Sequence, residues 1–167
     1  MLRLQLPYRI YGGQRFFERA EIRNALGYIR LVSQRDADAA FERVVNVPPR
    51  GMGNRTLEEI RDLARLEQIS LWRAAERLLA DGTLTARKKN SISGFLSLIE
   101  EMDEHTQGVE LEQLVQTVIE RSGLVSYYER ERGERGQARI ENLGELVSAA
   151  RSFDPEENLT FNPPTGN

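Results

Sequence analysis

The chain is expected to be mainly α: a compact bundle of about seven to eight helices with helix-loop-helix elements and one short N-terminal strand. Three observations predict it. Apolar residues recur at spacings of three and four along most of the chain, capping residues, Gly and Pro break that pattern into helix-sized pieces, and strand-like composition is confined to Leu6 to Tyr11. With 40% hydrophobic residues in 167, the chain can bury one ordinary core.

The elements follow in order. Leu6 to Tyr11 is aromatic and β-branched, and Gly12-Gly13 interrupts it as a turn. One strand makes no sheet, so it is expected to pair with a strand outside this chain or to lie on the helices. After Gln14 to Glu18, the residues Ile22, Ala25, Leu26 and Ile29 predict a helix ending near Val32. Gln34 to Asp38 is a polar break. A second helix carries Ala39 to Val45 and stops before Pro48 and Pro49, which lack the amide a helix needs. From Thr56, the run Leu57, Ile60, Leu63, Ala64 predicts a helix with Glu58 and Glu59 in its first turn, where the helix dipole favours acids. Ser70 should cap the next helix, from Leu71 to about Leu79, which closes at Asp81-Gly82. A longer helix over Thr85 to about Glu104 uses Ile92, Phe95, Leu96 and Ile99, with Arg87, Lys88 and Lys89 at its amino end. Gly108 breaks the chain. Leu111 to Ile119 is amphipathic and closes at Ser122-Gly123, Leu124 to Tyr128 begins a short helix, and Glu129 to Gly136 is a charged, glycine-containing loop. Arg139 to Phe153 should be the last helix, and residues 154–167 a flexible tail.

Composition excludes several chemistries. No cysteine is present and His105 is the only histidine, so neither a thiolate nor a histidine metal cluster can form, and no metal ligand is assigned. No window approaches the roughly 20 apolar residues that span a bilayer, which predicts a cytoplasmic protein without a membrane partner. The net charge of -3 is modest, and only Lys88 and Lys89 are lysines, so arginine placement decides where an anion could bind. The sequence contains no Gly-rich loop ending in Gly-Lys-Ser or Gly-Lys-Thr, no dinucleotide fingerprint and no Gly-x-Ser-x-Gly. Adjacent acids such as Glu58-Glu59 and Glu100-Glu101 point in different directions on a helix and read as solvated faces.

One segment suits anion binding. Arg50, Gly51, Met52, Gly53, Asn54, Arg55 and Thr56 join two helices through a Gly-apolar-Gly turn. The glycines allow close backbone approach, Met52 can anchor the turn, and the next helix presents free amides. Arg50 and Arg55 flank it, and Asn54 or Thr56 could cap the helix or donate to an oxygen. Such a site reads charge and shape, not bases. The same residues also make an ordinary tight interhelical turn. Arg135, Gly136, Gln137 and Arg139 form a second candidate, diluted by alternating acids, and Arg15 and Arg19 a third, beside Phe16 and Phe17, which read as core. Trp72, Tyr127 and Tyr128 read as packing residues with polar tips near the surface.

Taken together, the blocks Pro7 to Ile22, Val45 to Gly53 and Glu134 to Leu146 resemble the UvrD/Rep/PcrA family of superfamily 1 DNA helicases, in the family's order and spacing. The resemblance implies that residues 1–18 are a strand and turn of the second (2A) motor lobe and that 19–153 form a helical 2B-like subdomain. It implies a parent enzyme that uses ATP and Mg²⁺ to move 3′ to 5′ on single strands, whereas this chain carries no cofactor and no catalysis of its own. Gly51, Met52 and Gly53 correspond to the family's Gly-Ile-Gly turn, a contact to duplex backbone; Met keeps the apolar plug without β-branching. The implied role is regulatory and DNA-contacting, with duplex or single-strand/duplex junction, the other helicase lobes and repair proteins as partners. A protein-interaction module with little DNA affinity is the alternative, and a free-standing helical enzyme using an acidic cleft a second rival.

Overall fold

The computed structural model describes residues 14–131 and 133–152, with the side chain of Gln14 left aside. Among them the helices are α1 (Gln14–Glu18), α2 (Ala20–Ser33), α3 (Asp38–Val44), α4 (Asn54–Glu67), α5 (Leu71–Asp81), α6 (Ala86–His105), α7 (Leu111–Arg121), α8 (Leu124–Glu129) and α9 (Glu134–Arg151). The mainly helical fold is as expected. The strand expected over Leu6 to Tyr11, the Gly12-Gly13 turn and the tail lie outside the described residues. No helix among those described is long and apolar enough to cross a membrane.

The boundaries follow local chemistry. The Ser70 hydroxyl accepts from the Arg73 amide at 3.2 Å and the Thr85 hydroxyl from the Lys88 amide at 3.4 Å, each satisfying a first-turn donor of α5 or α6. Ser70 also donates to Asp36 at 2.7 Å, and the Leu71 amide to Asp38 at 2.9 Å, so the start of α5 is seated on the start of α3.

Helix α2 is the spine. It packs against α3, α6, α7 and α9, and Ile22, Ala25, Tyr28, Ile29, Leu31 and Val32 are all buried along it. A helix covered on nearly every side must be apolar on nearly every side, and each fully buried large aliphatic contributes about 1.5–3 kcal/mol. Its few buried polar groups are answered across the molecule. The Asn142 amide donates to Glu21 at 2.7 Å, and the Asn24 amide to the Tyr128 hydroxyl at 3.1 Å. At its far end, the Arg35 guanidinium donates to the carbonyls of Val32 and Leu31, pairs with Glu100 at 3.0 Å and Asp103 at 2.8 Å, and lies over Trp72.

Four details depart from the sequence reading. Gln14–Glu18 is a short helix of its own, with Phe16 in the core and its ring edge-on to Phe17. Helix α4 begins at Asn54, two residues early, so Glu58 and Glu59 leave the first turn, which holds no acid. Helix α9 begins at Glu134 inside the expected loop. Gly136 permits this, because a Cβ there would sit 2.5 Å from the carbonyl oxygens of both Tyr128 and Glu131. Tyr128 is 1% exposed, its hydroxyl held by Asn24 inside the molecule instead of reaching the surface.

Candidate nucleic-acid interface

Helix α3 stops at Val44 and α4 starts at Asn54, and the intervening corner is tied down from the inside. The Asn46 side chain spans it: its carbonyl oxygen accepts from the Arg50 amide at 3.4 Å and its amide donates to the Met52 carbonyl. Met52 is 2% exposed and plugs the corner into the core. Gly51 has φ +78, a left-handed geometry that glycine adopts without strain, and its carbonyl accepts from the Ser91 hydroxyl of α6 at 3.2 Å.

The outer side of the corner has donors and little to answer them. Gly53 caps α4 with no side-chain hydrogen bond, so the first-turn amides keep the partial positive charge of a helix start. Gly51, Gly53, Asn54 and Arg55 are exposed; Thr56 is buried, the third residue of α4 and not its cap. No ion pair or side-chain hydrogen bond engages Arg55 among the described residues. Glu59, one turn on, is neutralised by Lys88 at 2.7 Å.

Arg50 is placed differently from Arg55. Its guanidinium points inward, donating to the carbonyls of Val44 and Val45 at 2.8 Å each and to the Tyr28 hydroxyl at 2.6 Å, over the rings of Tyr28 and Phe95. Burial pushes the Tyr28 hydroxyl above its ordinary pKa, with the Arg50 charge opposing, so that hydroxyl stays protonated and directs its proton to the Val47 and Val44 carbonyls.

The other sequence candidates do not join this corner. Arg139 pairs with Glu131 at 3.5 Å and lies over the Tyr128 ring. Arg135 and Gln137 are exposed on the first turn of α9, with Glu134 beside them and Gly136 buried; Arg15 and Arg19 are exposed on and just after α1. No hydrogen bond or ion pair among the described residues connects any of them to residues 50–56. Arg130, from the same charged segment, does come close. It is exposed and lines a cleft of about 240 Å³ with Pro48, Pro49, Arg50, Ser126 and Tyr127. Tyr28, Asn46 and Ser91 were missed as supports. Only Asn46 carried a local signal, as a turn-forming residue before two prolines.

A family model described as the UvrD-like helicase C-terminal domain matches residues 1–162. DNA helicase II of Escherichia coli (strain K12) is 48% identical over 157 residues, 94% of this chain and 22% of that protein. DNA helicase II of Haemophilus influenzae is 47% identical over 158 residues, 95% and 22% of the two chains. The ATP-dependent DNA helicase PcrA of Bacillus subtilis is 31% identical over 154 residues, 92% and 21%. The chain therefore spans about a fifth of the length of these relatives.

Proposed function

The chain belongs to the family of UvrD-like helicase C-terminal domains, and on that premise we propose that it is the 2B-type, duplex-contacting and regulatory part of an ATP-dependent 3′ to 5′ DNA helicase. Residues 19–153 form that part, and they grip the sugar-phosphate backbone without reading bases. The observation that carries this reading is the start of α4: exposed, uncapped, free of acids and flanked by the unpaired Arg55. Backbone amides and a guanidinium match phosphate oxygens, and nothing in the corner is aimed at a base edge.

ATP and Mg²⁺ belong, on this proposal, to portions of the helicase beyond this chain. Among the described residues no group of three or more acidic or histidine side chains could hold a metal. The partners proposed are a single-strand/duplex junction, the motor lobes and repair proteins. A salt titration with a tailed duplex tests the reading: log affinity should fall linearly with log salt, and Arg55→Ala should make the slope shallower by about one. Binding that ignores salt, or a slope indifferent to Arg55, rejects it.

A further inference from the structure

We propose that Arg50 is a positioning residue for phosphate binding: it fixes the start of the loop that leads to Met52 and Gly53, whose amides are left free for an anion, and it touches no phosphate itself. The inference rests on the reading of residues 51–56 as a phosphate site.

The argument starts from the loop's carbonyls. Val44 and Val45 accept from Arg50, Val47 from Tyr28, Gly51 from Ser91, and Met52 from Asn46. In a trans peptide the carbonyl and the following amide point in opposite directions. Taking up the carbonyls of Gly51 and Met52 with Ser91 and Asn46 therefore turns the amides of Met52 and Gly53 the other way, and neither has a partner among the described residues. The loop leaves an anion two unpartnered amides, while side-chain donors already answer the oxygens that would repel it. Arg50 is central to this because one side chain answers two successive carbonyls at the end of α3 and orients the Tyr28 hydroxyl that answers a third.

Chemistry excludes a simple stand-in. The planar fork fits between the rings of Tyr28 and Phe95, 5.7 and 5.1 Å from their centroids, while donating along its edge. Lysine brings the charge but neither the plane nor the paired donors. With both protons of Nη1 given to carbonyls and one of Nη2 to Tyr28, three of the five guanidinium N–H groups of Arg50 are already engaged.

The test uses the whole chain and a tailed duplex. Arg50→Lys and Arg50→Met should each weaken binding about tenfold while leaving the salt slope at its wild-type value, because no phosphate contact is lost; amide exchange at Met52 to Arg55 should speed up. Arg55→Ala, by contrast, lowers the slope. Full rescue by Lys with loss of slope in Met would show that Arg50 neutralises a phosphate and would overturn the proposal, as would wild-type affinity in both variants. Should the variants not fold, the wild-type protein still decides. The Arg50 guanidinium protons should exchange slowly and keep their chemical shifts when duplex is added, while those of Arg55 move; a larger shift at Arg50 than at Arg55 refutes it. Absence of any duplex binding sinks the phosphate reading instead, and leaves the exchange rates of Met52 to Arg55 as the measure of what Arg50 holds in place.

Discussion

The hydroxyl of Ser91 donates to the carbonyl of Gly51 at 3.2 Å, fastening the corner between α3 and α4 to a helix that begins more than thirty residues later. The presentation of the α4 amides therefore depends on residues well outside the Gly-Met-Gly turn, and the following outcomes are expected.

Arg55, in the first turn of α4, and Arg130, in the cleft beside Pro48 and Pro49, are both exposed and without an ion pair among the described residues. Replacing each by Ala should make the plot of log affinity against log salt shallower by about one per contact, and the double variant by about two. Fluorescence anisotropy on a labelled duplex between low and physiological salt reads this directly; an unchanged slope for Arg130→Ala would confine the contact to the Arg55 side.

Gly51→Ala places a side chain at φ +78. Left-handed backbone costs an L-residue roughly 1–2 kcal/mol, and the 3.6 Å approach to Ser91 leaves room for the methyl. The stability loss should thus be about that of the backbone alone, accompanied by weaker duplex binding. Urea unfolding beside a binding curve checks the pair.

Gly136→Ala should be the more damaging glycine change, because two backbone carbonyls stand 2.5 Å from the new Cβ and backbone cannot swing aside as a side-chain end can. Forced overpacking costs about 1–3 kcal/mol. A melting temperature indistinguishable from wild type would contradict the close passage of α9 over the end of α8.

Glu42 and Arg61 clamp α3 to α4 through two hydrogen bonds, 2.7 and 2.6 Å. Those bonds hold the Glu42 carboxyl below its ordinary value of 4.5, against the opposing effect of partial burial. A folded value below the unfolded one stabilises the protein above the unfolded value, and that stability disappears as pH falls toward the folded one. Both side chains are more than a third exposed, so the pair contributes about 0.2–1 kcal/mol. Urea midpoints at pH 7 and pH 3.5 should therefore differ less in Glu42→Gln than in wild type.

Most helices could be read from the sequence because their stripes are regular and their ends carry Ser70, Thr85, Gly82 and Gly123. What could not be read was set by partners distant in the chain. The start of α9 depends on Gly136 passing under Tyr128 and Glu131, whereas local chemistry offered only a charged, glycine-containing stretch. At the corner, the glycines, Met52 and Arg55 stand out in sequence. The inward turn of Arg50 does not, because it requires Tyr28 and Phe95 to be brought together by tertiary packing. Arg35 makes the same point: it too serves helix-end carbonyls and covers an aromatic ring, so an arginine near a helix end can be answering the helix instead of awaiting a ligand.

Glu21 finds its amide donor 121 residues downstream, and Asn24 its hydroxyl 104 residues downstream. A nascent chain that has completed only α1 to α7 thus carries on its central helix the Glu21 carboxylate and the Asn24 amide N–H without the partners that α8 and α9 supply, beside an apolar face still open to water. The last two helices complete the cooperative unit, and shortening the protein from that side would loosen its first long helix before disturbing its own neighbours in sequence.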